Sequence, residues 1–145
     1  LAPGRVRRVV TVDRREPVSY ARVLERLALD APWLKLRTRF HEVNLAHMPP
    51  LSPDGWAVSV HCCGQLTDTV AKVAARSSIP FVVVPCCESR GCLADAGQEA
   101  SGRSVEDRVN AARVERWQGW GYTVEERELP IQVTGRTRMF LCRPA

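Results

Sequence analysis

A chain of 145 residues, 45% of them apolar, is one domain's worth of sequence with enough hydrophobic side chain for a single buried core. No apolar run approaches the roughly 20 residues of a membrane-spanning helix, and residues 1–10 are too basic for a secretory signal, so an intracellular protein outside the membrane is expected. The formal charge of +5 is carried by arginine and suits a polyanionic partner as well as a plain solvated basic surface.

In chain order, residues 6–12 (VRRVVTV) form a β-rich run that ends in Asp13 and predicts a strand. Pro17 suits the first turn of a helix through about Leu29, with Tyr20, Val23, Leu24 and Leu27 at helical spacing and Pro32 closing it. Residues 36–43 alternate as a second strand. The proline-punctuated stretch 48–55 is a loop. Residues 56–60 (WAVSV) predict a third strand, after which Thr67 or Asp68 caps a helix to about Ser77.

The run 79–84 (IPFVVV) is almost wholly apolar, the mark of a strand covered on both faces. A polar loop is expected over 88–103. Ser104 and Asp107 then make an approximate N-cap box for a helix through Trp120, with Gly121 as its C′ residue. Residues 122–129 and 137–143 flank Thr134-Gly135 as an antiparallel hairpin. Strands alternating with helices imply a mostly parallel sheet with helices on both faces, here as one domain over 1–145. Val9, Val58, Val60, Val82 and Val84 are expected to be buried in it.

Six cysteines admit a disulfide framework, a zinc site or reduced thiols. Cys62-Cys63 and Cys86-Cys87 each follow an apolar strand run, with Cys92 close behind, whereas disulfide-rich secreted domains space cysteines among polar turns. A reducing compartment and thiols used as small apolar residues are therefore expected. Zinc fits less well, because adjacent residues at a strand end point to opposite faces and no Cys-x-x-Cys pair is present. A redox-sensitive pair is the third reading. Trp117 and Trp120, three apart on one helix, read as core, while Arg136 and Arg138 are candidates for a polyanionic partner or for a solvated basic edge.

Ligands of open α/β sheets bind outside the carboxyl ends of the strands. The polar residues there are Asp13, then Glu42 and Asn44, then His61-Cys62-Cys63-Gly64, then Cys86-Cys87-Glu88, and all four clusters are expected to line one rim. The pattern His61-Cys-Cys63-Gly64…Thr67-Asp68, followed by Val84-Pro-Cys86-Cys87, resembles a group of class I S-adenosylmethionine-dependent methyltransferases that includes tRNA ribose-methylating enzymes. The resemblance covers 6–92 in pattern and 56–87 in motif.

That resemblance implies a Rossmann-like fold whose C-terminal hairpin inserts antiparallel beside the parallel strands. It implies S-adenosylmethionine as cofactor and RNA as an acceptor, among others. Asp13 would hold the ribose hydroxyls and Asn44 the adenine. His61, Cys63 and Gly64 would line the cofactor beside the methyl group, with His61 and Asp68 as the catalytic candidates. Glu88 stands where the group often has histidine. The first, central strand and its glycine-rich loop should precede residue 6, and the chain opens on Leu1 rather than Met. An upstream segment or another chain is therefore expected to complete the sheet. The alternative is a noncatalytic subunit derived from a methyltransferase.

Overall fold

The computed structural model describes residues 5–86, 104–129 and 137–145. The chain divides into two compact units, Leu1–Met48 and Pro49–Ala145.

In the first unit, strand β1 (Val9–Asp13) leads to helix α1 (Tyr20–Asp30), a short helix α2 (Trp33–Arg37), strand β2 (Thr38–Glu42) and a 3₁₀ turn (Leu45–His47). The two strands pair in parallel from Val9↔Thr38 to Asp13↔Glu42. Helix α1 starts three residues later than expected: Pro17 sits in the preceding turn, where its carbonyl accepts from the Tyr20 N–H at 2.8 Å. Tyr20 then packs edge-on against Phe40 of β2, with ring centroids 4.9 Å apart. Helix α2 was not expected. Pro32, read as a terminator, is its N-cap at φ −56°, because a residue with fixed φ and no N–H is well suited to a helix start.

The second unit holds β3 (Ala57–Val60), α3 (Gln65–Arg76), β4 (Phe81–Val84), α4 (Val105–Gly119), β5 (Tyr122–Glu128) and β6 (Arg138–Pro144). Its sheet runs β3-β4-β6-β5. Strands β3 and β4 are parallel, and β6 lies antiparallel to both β4 and β5, so the closing hairpin is present. The fold is mixed α/β, with two sheets among the described residues where one mostly parallel sheet was expected. Among the described residues β1 pairs only with β2, and β3 has only β4 beside it.

Helices α3 and α4 lie side by side against one face of the four-stranded sheet, joined by bonds from Arg113 and Arg116 to Asp68. That face is the core. Phe81, Val83, Phe140, Cys142 and Trp117 are all fully buried. Trp117 meets Phe81 and Phe140 edge-on at 5.3 and 5.6 Å, and the Tyr122 hydroxyl donates to the Ile79 carbonyl at 2.9 Å. Four such rings supply much of the apolar area that this unit removes from water.

The other face carries no helix of this unit among the described residues. Trp56, Val58 and Val60 alternate onto it and are 50%, 67% and 57% exposed. Burial was expected for Val58 and Val60. Among the described residues β3 is an edge strand and both helices cover the opposite side, whereas Val84, the register partner of Val60 on the same face, is enclosed. Val9 and Val82 are half-buried, and only Val84 is fully enclosed.

Helix α4 forms as its ends predict. The Ser104 hydroxyl accepts from the Asp107 N–H at 3.1 Å and donates to its carboxylate at 2.7 Å. Gly121, past the last turn, takes φ +83°, a conformation that favours glycine. Trp117 is core as expected. Trp120 lies beyond the last helical residue, at the C-cap, and is 38% exposed.

Candidate functional site

In the first unit the carboxyl ends of β1 and β2 bring acids together. Asp13 and Glu42 are register partners, and the Val43 N–H donates to the Asp13 carbonyl at 2.9 Å, carrying the ladder one step further. Both carboxylates are exposed and each accepts a backbone N–H. Asp13 takes that of Arg14 at 2.6 Å, and Glu42 takes that of Glu16 at 2.8 Å, which pins the turn after β1. Asn44 caps the 3₁₀ turn, its side-chain oxygen accepting from the Ala46 N–H at 3.1 Å.

In the second unit the chain leaves β3 through a tight turn. The His61 N–H donates to the Val84 carbonyl at 2.9 Å, so the β3–β4 ladder reaches the first residue past the strand. His61 then takes φ +58°, and Gly64, the N-cap of α3, takes φ +57° with ψ −128°. The second conformation is open to glycine and strained for any side chain. Thr67 lies in the first turn of α3 rather than capping it, and its hydroxyl donates to the Cys62 carbonyl at 2.6 Å. The turn brings the Cys63 sulfur to 2.8 Å from that of Cys86, which follows β4 by two residues.

Asp68 lies on α3 and is met from α4. Its two oxygens accept from Arg113 at 3.4 Å and from Arg116 at 3.2 Å. Arg113 is 2% exposed and donates also to the Gly64 carbonyl at 3.1 Å and to the Asn110 side chain at 3.2 Å. One buried guanidinium thus ties α3, α4 and the turn after β3 together. A buried charge persists only when paired and hydrogen-bonded, and these contacts supply that. Sequence reasoning missed Arg113. The nearest signal was its spacing, four residues before Trp117 on the helix face read as core.

Arg138 is held by Asp107 at 2.8 Å and Glu126 at 3.0 Å. The Asp107 carboxyl lies below its ordinary range because Ser104 and Arg138 both hydrogen-bond its ionised form. This ion-pair cluster borders an open cavity of about 430 Å³ between α4 and the hairpin, with Asn110, Val114 and Phe140 in its wall. None of the strand-end residues lines it. Arg136, Cys87, Glu88 and Cys92 lie outside the described residues. Among those described, no three His, Cys, Asp or Glu side chains are grouped to hold a metal ion, and no helix is long and apolar enough to cross a membrane.

Within the first unit Asp13 ends β1 and Asn44 follows the carboxyl end of β2. Within the second, His61, Cys63 and Gly64 form the turn after β3, and Asp68 lies in the first turn of α3.

No family model and no curated protein matches the chain. Among solved structures it is similar to a possible exported protein from Bordetella parapertussis, with a TM-score of 0.56 and 10% identity. The match covers 95% of this chain and 54% of that one, so the chain spans about half the length of its structural neighbour. At that identity the likeness concerns the fold alone.

Proposed function

We propose that the chain is the greater part of a Rossmann-like, S-adenosylmethionine-dependent methyltransferase, with RNA as the acceptor that its arginine-rich charge suits. The observation that carries the reading is the strand order. The parallel pair of β1 and β2 in the first unit, and in the second a sheet β3-β4-β6-β5 whose last strand runs antiparallel between its neighbours, are each compatible with such a fold. Among the described residues β1 and β3 each pair on one edge alone, which suits a further strand from an upstream segment or another chain, whose glycine-rich loop would hold the methionine moiety. The exposed apolar side of β3 fits the helix that would follow that strand.

The residues present suit part of the cofactor. Asp13 is an exposed carboxylate at a strand end with one oxygen fixed by a backbone N–H, an arrangement able to accept from ribose hydroxyls. Asn44 fits less fully, because its side-chain oxygen already serves the 3₁₀ turn. When bound, the cofactor supplies a methyl group activated by its own sulfonium. The chain's task is orientation, with a base where the acceptor must lose a proton. His61, half-buried at the head of the tight turn, is the residue for that proton. Asp68, with both oxygens accepting from arginines, holds the turn at Gly64 in place through Arg113.

That engagement of Asp68 favours a second reading, a noncatalytic subunit that keeps the architecture and has lost the chemistry. Calorimetric titration with S-adenosylmethionine separates the two. The chain by itself is expected to bind weakly or not at all, and a longer chain carrying the upstream strand and loop is expected to bind. In that chain Asp13→Ala should abolish binding, and His61→Ala should lower turnover by ~10²- to 10⁴-fold with the fold intact. Tight binding by the short chain that ignores Asp13→Ala would show the site to be elsewhere. No binding by the completed chain would leave the scaffold.

A further inference from the structure

The described cysteines divide sharply by surroundings. Cys142 is fully enclosed in the covered face of the sheet, and burial pushes its thiol up to about 12. Such a thiol is inert. Cys63 is exposed and Cys86 partly so, and their sulfurs stand 2.8 Å apart. That is less than an ångström beyond the about 2.05 Å of a disulfide bond.

The approach is built by backbone. β3 and β4 are hydrogen-bonded neighbours, the His61 N–H to Val84 carbonyl bond carries their pairing past the strand ends, and the positive-φ turn at His61 and Gly64 brings Cys63 back beside Cys86. Neither strand has to move for the sulfurs to meet.

We propose that Cys63 and Cys86 form a reversible dithiol–disulfide site whose co-substrate is a small-molecule disulfide such as oxidised glutathione. The Cys63 thiolate, the more exposed, attacks one glutathione sulfur, and the S–S bond of glutathione breaks as its other half leaves and takes up a proton. The Cys86 thiolate then attacks the Cys63 sulfur of the mixed disulfide and displaces the second glutathione thiol. Two protein thiols are oxidised, and one small disulfide is reduced to two thiols. The new bond fastens the turn after β3 to the exit of β4 and closes a loop containing all of α3. The oxidised form should therefore melt several degrees higher than the reduced one. The site stands on the geometry of these two strands and does not depend on the methyl-transfer reading.

The test uses the whole chain incubated with oxidised glutathione and read by intact mass, thiol alkylation and peptide mapping. The expected product has lost about 2 Da and two alkylatable thiols, carries no glutathione, and reverts with dithiothreitol. Fragmentation of the linked peptides should place the bond on Cys63 rather than Cys62 and on Cys86 rather than Cys87. Cys86→Ser should stall at a glutathione adduct on Cys63, and Cys62→Ser should change nothing. Mapping the unsubstituted chain decides the matter even where a serine variant folds poorly. A bond mapped to any other pair, stable adducts on both thiols, or stoichiometric zinc that protects them would overturn the proposal.

Discussion

The two faces of the four-stranded sheet are built from the same kind of sequence and meet opposite fates. Phe81, Val83, Phe140 and Cys142 lie under α3 and α4 at 0% exposure, while Val58 and Val60, no less apolar, stand open to solvent. The difference lies in what each side chain has above it. Alternation sets which residues share a face, and the neighbouring layer sets whether that face is a core. The stability of this unit should accordingly be concentrated on one side.

The largest test of that asymmetry is Trp117→Ala, which removes the ring between Phe81 and Phe140 and should cost about 3–5 kcal/mol by urea denaturation. Asp68→Ala comes next. It leaves Arg113 buried with one acceptor fewer and should cost about 3 kcal/mol, with Asp68→Asn milder. A loss of activity without that loss of stability would instead place Asp68 in the chemistry.

Ser104→Ala, which removes the cap of α4, should cost about 1 kcal/mol. Its partner Asp107 adds a pH signature. The folded carboxyl titrates below its ordinary 3.8, so its contribution is present above that pH and lost as pH falls through the lowered value. The difference in urea midpoint between the native chain and Asp107→Asn should stay constant near neutrality and close below about pH 3.8. Smallest of all, Val58→Ala on the open face should change stability by no more than about 0.5 kcal/mol. A loss there as large as that of Trp117→Ala would mean that the face is covered in solution.

Local features were legible in the sequence. Ser104, Asp107 and Gly121 mark the ends of α4 because capping is a contact between near neighbours; Thr134-Gly135, expected between the last two strands, lies outside the described residues. The succession of helices and strands along the chain was legible too, apart from α2, where Pro32 carries the same signature at a helix start as at a helix stop. The exposure of Val58 and Val60 was not, since WAVSV reads identically whether one face or both are covered. Nor was Arg113, whose burial rests on acceptors 45 and 49 residues away in sequence, at Asp68 and Gly64. Of the strand-end residues, Asp13 and Glu42 meet as register partners in the first unit, and Cys63 and Cys86 meet in the second. The turn geometry that brings two sulfurs together lies in φ angles that no spacing encodes.

The interior place of β6 bears on the order in which this unit can be assembled during synthesis. β6 sits between β4 and β5 although it is the last of the described strands in chain order. While a ribosome is still making residues 105–137, β4 and β5 have no partner to share, and α4 has Phe81 but not Phe140 to rest on. The nascent unit can collapse over α3 and the β3–β4 pair, but its core cannot close until Phe140 and Cys142 emerge. Folding of this unit is thus held back to the arrival of one seven-residue strand, and until then its apolar rings stay within reach of chaperones.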